Sequence, residues 1–270
     1  MTIRVAGVFA HPDDDIYLIG GTLLLHRGEV EPTLIFATSG EAGPISDPSQ
    51  ATRATLGAVR ESEQRNAMSI IGYPDARAEF LHHPDYYLPH VPMETLENEI
   101  EQLLEEVQPH VVVTFGPDGL TSHHDHMYVG RAATAVFHKL SEASHDQSVL
   151  QRLYHVALGR SDVDRFYSEV AEGGFQYGEE GNLFDITGVP DDAITVRTDL
   201  GAVAERKREA ILAHQTQLIE WERIPEPLRG IYLDAECFVQ AHPAPEPGSV
   251  RSDLFDDLAR DTADAVRPAP

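Results

Sequence analysis

Short runs of β-branched apolar residues alternate along this chain with longer amphipathic segments, and two of the runs pass directly into dense polar knots. Residues 3–10 (IRVAGVFA) lead at once into His11-Pro12-Asp13-Asp14-Asp15, and residues 110–115 (HVVVTF) into the loop GPDGLTSHHDH at 116–126. Continuous apolar runs of this length read as strands buried on both faces. A second strand is expected in PTLIFATSG, residues 32–40. Helix-length stretches lie between the strands: 16–27, closed by Gly28, and 51–72, stopped by Gly72 with Pro74 beyond. Residues 93–107 carry Leu96, Ile100, Leu103, Leu104 and Val107 on one face and glutamates on the other, and another helix opens out of the 116–126 loop and runs to about His138. This alternation predicts an α/β fold, a Rossmann-like and mainly parallel sheet with helices on both faces. Ligands of such sheets bind beyond the carboxyl ends of the strands. The two knots are therefore expected to converge on one edge of the sheet.

The second half is less regular. Strands are expected at 152–158 and 193–198, a helix at 201–218, and a strand through Cys237-Phe238-Val239. The glycine-rich, acidic stretch 173–192 reads as a long loop or lid. After Pro243 the composition turns to Pro, Ala and Asp. Residues 1–243 are therefore read as one domain and 244–270 as a tail, with a weak amphipathic helix over 252–267 carrying Leu254, Phe255, Leu258 and Val266. A length of 270 residues suits one such domain.

Composition narrows the function classes. The formal charge of −25 repels phosphate backbones, so neither nucleic acid nor an anionic membrane is an expected partner. No apolar run reaches membrane-spanning length, and the N-terminus has neither the basic head nor the long apolar stretch of a signal peptide. A cytoplasmic protein is expected, with homo-oligomerisation open. The single cysteine, Cys237, lies in an apolar strand and reads as a buried, inert thiol.

The knots carry the chemistry. Asp13 and Asp14 are adjacent in a loop at a strand end, so their side chains point in different directions. One can bind a cation while the other faces a bound water, and a metal relieves the repulsion between close carboxylates. Taken alone, the knot could equally cap a helix through Asp15. His123 and His126 are three residues apart at the start of a helix and can share one face of its first turn. Two histidines and a carboxylate leave coordination positions open, the pattern of a catalytic metal site, and suit Zn²⁺, or Fe²⁺ as second choice, better than Mg²⁺ or Ca²⁺.

With these residues in view, the sequence resembles the LmbE-like deacetylases, which include the N-acetylglucosaminyl-phosphatidylinositol de-N-acetylases and the deacetylases of mycothiol and bacillithiol biosynthesis. The family's A-H-P-D-D-E matches Ala10–Asp15 with aspartate in the last place, and its H-P-D-H matches His123-His124-Asp125-His126 with histidine for proline. Weaker echoes are Arg60 and Glu63 for a helical R-x-x-E, Thr38-Ser39-Gly40-Glu41 for T-x-G-E, and Ala213, His214 and Gln217 for A-H-x-x-Q. The resemblance implies zinc held by His11, Asp14 and His126, Asp13 as general base, and His123 as the positive partner of the tetrahedral intermediate, oriented by Asp125. It also implies substrate contacts from Arg60 and, at the pocket wall, His214. Some relatives place an oxyanion-stabilising tyrosine where this chain has Thr121. On residues alone, Arg60 and Glu63 could instead be a surface ion pair, and His214 could simply pack against the sheet.

The implied activity is removal of an N-acyl group from an amino-sugar conjugate. The rivals are hydrolysis of another amide or ester, and a sugar-binding homologue without catalysis. Phosphoester cleavage would want a second ligand set or a basic cluster, and neither is visible. The dinucleotide fingerprint G-x-G-x-x-G is absent after the first strand.

Overall fold

The computed structural model describes residues 2–146, 148–174, 186–246, 248–256 and 258. Seven strands form one sheet: β1 (Ile3–Phe9), β2 (Val30–Phe36), β3 (Arg77–Phe80), β4 (Val111–Phe115), β5 (Arg152–Ala157), β6 (Val196–Asp199) and β7 (Ala235–His242). Their spatial order is β3-β2-β1-β4-β5-β7-β6. The first five are parallel, while β7 runs antiparallel to both β5 and β6. The α/β, mainly parallel architecture expected from the alternation is the one observed. β4 is buried at every residue, as its unbroken apolar run requires.

The helices among the described residues are α1 (Asp14–Leu18), α2 (Gly20–Leu25), α3 (Leu56–Ile70), α4 (Met93–Val107), α5 (Gly119–Ser122), α6 (His124–Ala143), α7 (Arg160–Glu172), α8 (Ala204–Leu212), α9 (Leu218–Arg223) and α10 (Gly230–Leu233). α4 and α6 pack together over β1 and β4, while α8 gathers α1, α2 and α3. The chain leaves β1 towards β2 on one side and returns to β4 on the other. The carboxyl ends of β1 and β4 thus flank a topological switch point, where open α/β sheets bind ligands.

Three expected elements differ. The helix over 16–27 breaks at Ile19, which has φ −139°. Gly21 lies so close to Leu200 that a Cβ there would come within 2.5 Å of its Cδ2, and the new helix start is capped by Glu236, which accepts from Gly21 N and Thr22 N. The helix over 201–218 ends at Leu212, and His214 turns inward to 2% exposure before a 3-10 turn, Gln215–Gln217. The tail helix falls partly outside the described residues. Its described start, around Leu254 and Phe255, is not helical, and both side chains are buried in the main core. Residues 175–185 of the expected lid also lie outside the described residues. Among the described residues no helix is long and apolar enough to cross a membrane. Cys237 is buried, and burial raises its thiol pKa, in keeping with an inert group.

Candidate metal centre

Beyond Phe9 the chain turns sharply through Asp13, whose φ of 113° lies where residues with a Cβ are rare. The turn sends the two neighbouring carboxylates apart. Asp14 folds back, its Oδ2 accepting the His11 backbone N–H at 2.8 Å and its Oδ1 standing 3.3 Å from His126 Nε2. His11 Nδ1 lies 3.2 Å from His126 Nε2 and 3.6 Å from Asp14 Oδ2. Ligand atoms on a tetrahedral zinc with bonds of about 2.0–2.1 Å stand about 3.3 Å apart. The His126 nitrogen has that spacing to both His11 and Asp14, and His11 stands slightly farther from the other Asp14 oxygen.

The outer ring nitrogens test the fit. His126 Nδ1 is 3.0 Å from the Gly119 carbonyl, and His11 Nε2 is 3.0 Å from Asp85 Oδ1 and 3.6 Å from Asp125 Oδ2. Carbonyls and carboxylates only accept, so each outer nitrogen carries a proton, and in the neutral rings a metal requires each inner nitrogen presents a lone pair. Two inward lone pairs beside a carboxylate call for a cation between them. Two further buried groups have ligand atoms close enough to share an ion, His11–His123–His126 and His11–Asp85–Asp125. The His126 ring is fixed by stacking on Phe115, the last residue of β4, with centroids 4.0 Å apart. Gly119, at φ 64°, has to be glycine, because a Cβ there would meet Met127 Cγ at 2.7 Å.

The surrounding carboxylates favour positive charge at this place. Burial alone would lower the His11 pKa, but Asp85, Asp125 and Asp14 together hold it well raised. Burial pushes Asp14 up, yet His126 and His11 outweigh it and hold the carboxyl well below the usual range. Asp13 behaves oppositely. Burial lifts its pKa to about 7 against the pull of the Arg60 guanidinium, with Asp14 adding to the rise.

Asp13 is held from two sides. Arg60 Nη2 donates to its Oδ2 at 3.0 Å, and its backbone N–H donates to Gln64 Oε1 at 3.1 Å. Gln64 Nε2 in turn donates to Asp15 Oδ2 at 2.7 Å. Burial lifts the Asp15 carboxyl to about 8. Arg60 and Glu63 are not a surface ion pair, since both are buried. Arg60 borders the cavity, but it also donates to Gly40 O at 2.8 Å and Pro12 O at 2.7 Å, tying the first knot to the loop after β2. Glu63 accepts from Thr216 N at 2.8 Å and Thr216 Oγ1 at 2.7 Å, anchoring the turn that carries His214.

His123 caps α6 with its side chain: its Nδ1 accepts the Asp125 backbone N–H at 3.1 Å. The link between Asp125 and His123 thus includes this peptide group, while the Asp125 carboxylate accepts from Tyr86 N at 2.7 Å and Leu88 N at 3.2 Å. Burial, with His11 and His126 alongside, lowers the His123 pKa, which favours a neutral ring over the expected positive one. His214 is not among the residues that line the cavity. Its ring is buried, both nitrogens lack a hydrogen-bond partner among the described residues, and burial followed by the Arg60 charge lowers its pKa to about 3.

The cavity over this cluster holds about 470 Å³ and is bordered by His11, Asp13, Asp14, His123 and His126, by Thr121, and by Tyr17, Tyr86 and Tyr232. Sequence reasoning missed Asp85, Gln64 and the three tyrosines. Asp85 stands in HHPDY, five residues past the end of β3, where nothing in the local pattern distinguishes it from a turn aspartate.

The family model for GlcNAc-PI de-N-acetylase (PIG-L) matches residues 7–137, which hold both knots. A 1D-myo-inositol 2-acetamido-2-deoxy-alpha-D-glucopyranoside deacetylase of Nocardiopsis dassonvillei is 30% identical over 242 residues, covering 80% of this chain and 85% of the relative. Among solved structures, the N,N'-diacetylchitobiose deacetylase of Pyrococcus horikoshii superposes with a TM-score of 0.59 at 21% identity, over 95% of this chain and 88% of that one. The 4-carboxy-2-hydroxymuconate hydratase of Pseudomonas putida superposes with a TM-score of 0.62 at 18% identity, over 91% and 98%. Those two likenesses bear on the fold alone, and they show one scaffold under two different reactions.

Proposed function

The chain belongs to the LmbE-like family of GlcNAc-PI de-N-acetylases, and on that premise we propose that it is a metal-dependent deacetylase of N-acetylglucosamine conjugates. The observation that carries the reading is the convergence of His11 Nδ1, His126 Nε2 and Asp14 Oδ1, with both outer imidazole nitrogens pinned to acceptors, beside a carboxylate that is no part of that set.

In this reading His11, Asp14 and His126 hold the ion, zinc by preference and Fe²⁺ as second choice. A bound zinc supplies Lewis acidity, polarising the amide carbonyl and bringing the pKa of water towards ~7. Asp13 takes the proton from the attacking water and passes it to the departing amine, a role suited to a carboxylate whose pKa lies near neutrality. Arg60 holds Asp13 in place and borders the substrate. His123 accepts at Nδ1, so in the neutral ring its proton sits on Nε2, and from there it donates to the oxygen of the tetrahedral intermediate. Asp125 keeps the His123 ring in that tautomer through its peptide N–H.

The test is amine release from a panel of N-acetylglucosaminides by metal-loaded protein, alongside metal analysis. We expect about one ion per chain, amine and acetate in equal amounts, and loss of most of the metal in His126→Ala. Full metal retention in that variant would remove His126 from the ligand set. Metal-dependent conversion without acetate, as in a hydration, would overturn the deacetylase reading.

A further inference from the structure

Tyr86 is held in a conformation that its side chain does not explain. Its φ is 70°, a left-handed conformation that is costly for a bulky residue. Burial of the ring does not offset that cost, because the residue is 49% exposed. What fixes it is the backbone N–H, which donates to Asp125 Oδ2, and Asp125 Oδ2 also lies 3.6 Å from the metal-site His11 Nε2. The ring borders the cavity. It stands edge-on to His124 at 4.8 Å and to His123 at 6.0 Å. His124 is the residue at which this chain departs from the H-P-D-H pattern. Tyr87, 59% exposed, continues the aromatic surface with its centroid 6.3 Å away.

We propose that Tyr86, braced by His124, is a stacking subsite for the part of the substrate beyond the N-acetylated sugar, and that it selects conjugates whose aglycone is an uncharged ring. The inference rests on the deacetylase reading for the position of the sugar, which must place its acetamido group at the metal cluster. The cavity of about 470 Å³ exceeds one hexosamine ring and lies in the ~300–1,000 Å³ range of sites that enclose larger molecules. A tyrosine ring offers a flat apolar face to the C–H face of a pyranose or cyclitol, or to an aromatic ring, at little entropic cost. The neighbouring Asp85 carboxylate disfavours an anionic group at the same place, and the arginines bordering the cavity already have protein acceptors, Arg53 at Glu41 O and Gly43 O, Arg60 at Asp13 and Arg223 at Glu220.

The experiment compares phenyl and methyl N-acetylglucosaminides of the same anomeric form with metal-loaded protein. It reads kcat/KM by acetate release, and binding of the corresponding free-amine glucosaminides by calorimetry. The wild type is expected to favour the phenyl compound roughly tenfold in both readouts, the size of one aromatic contact. Tyr86→Phe keeps that ratio and Tyr86→Ala brings it to about one. His124→Pro, a residue well tolerated at the first position of a helix, lowers the ratio without disturbing the fold. A wild-type ratio near one, or an unchanged ratio in Tyr86→Ala, overturns the subsite. So does an equal loss on both glycosides in Tyr86→Phe, which would place the phenol at the reaction itself. If no acetate appears from either glycoside, the deacetylase reading fails, and the calorimetric ratio still decides the subsite.

Discussion

Asp13 and Asp14 share a peptide bond, and the turn at φ 113° gives them opposite surroundings. Asp14 faces two imidazoles, and Asp13 pairs with the Arg60 guanidinium at 3.0 Å. Asp13→Asn is expected to keep the metal and lower kcat by ~10²-fold or more, the range for losing a general base. Asp14→Asn is expected to lose metal affinity instead, because an amide is the poorer ligand. Metal analysis and kinetics on the pair check this, and full activity in Asp13→Asn would remove it from proton transfer. Gln64 extends the argument one residue outward. It holds the strained Asp13 peptide through Oε1 and the buried Asp15 through Nε2. Gln64→Leu removes both bonds and leaves buried polar groups unpaired, a cost of about 1–3 kcal/mol. It is expected to lower kcat about tenfold or more, since misplacement by a fraction of an ångström is felt at the reacting atoms. KM and metal content should stay near wild type.

At the scale of elements, the docked tail gives a pH-dependent contact. His26, just after α2, places Nε2 3.2 Å from Asp253 Oδ1 and its ring edge-on to Phe255 at 4.8 Å. The bond to Asp253 raises the His26 pKa, and although burial alone would raise that of Asp253, His26 and the Phe255 N–H hold it lowered. A raised histidine contributes stability that is complete below its unfolded pKa of ~6.5 and is lost as pH climbs through the higher folded value. A lowered carboxylate contributes stability present above ~3.9 and lost as pH falls through the lower folded value. The pair therefore holds best between about pH 4 and 6.5. Thermal melts of wild type and His26→Gln should differ most in that window and converge towards pH 9. A constant difference across the range would show that only the ring packing matters.

At the scale of the molecule, Lys207 joins elements far apart in sequence. It is fully buried, and Nζ donates to Tyr17 O at 2.7 Å, Tyr232 O at 2.6 Å and Glu236 Oε1 at 2.8 Å. Three donors meet three acceptors contributed by α1, α10 and β7. Two of the acceptors belong to tyrosines that border the cavity. Lys207→Met strands two carbonyls and the Glu236 charge, and is expected to cost about 3–5 kcal/mol in chemical denaturation. Lys207→Arg should not restore the loss, because a planar fork cannot address a compact three-way site. A loss under about 1 kcal/mol would show that water replaces the ammonium.

Local pattern was enough to find β1, β4 and α4, because a doubly buried strand and an amphipathic helix write their burial directly into residue order. It was enough to mark His11, Asp13, Asp14, His123 and His126 as a group, because each knot is short and stands at a strand end. It did not supply Asp85 or Gln64, whose partners lie 74 and 51 positions away at His11 and Asp13. Nor did it supply the break at Ile19, beside which Gly21 packs against Leu200 and is capped by Glu236. The inward turn of His214 and the docking of Leu254 belong to the same class. Periodicity records which face of an element meets the core. Which residues of distant elements meet each other depends on the order of strands in the sheet. Only that order, with β4 beside β1, brings the two knots within 3.2 Å and gives the tyrosine at the cavity mouth its carboxylate anchor.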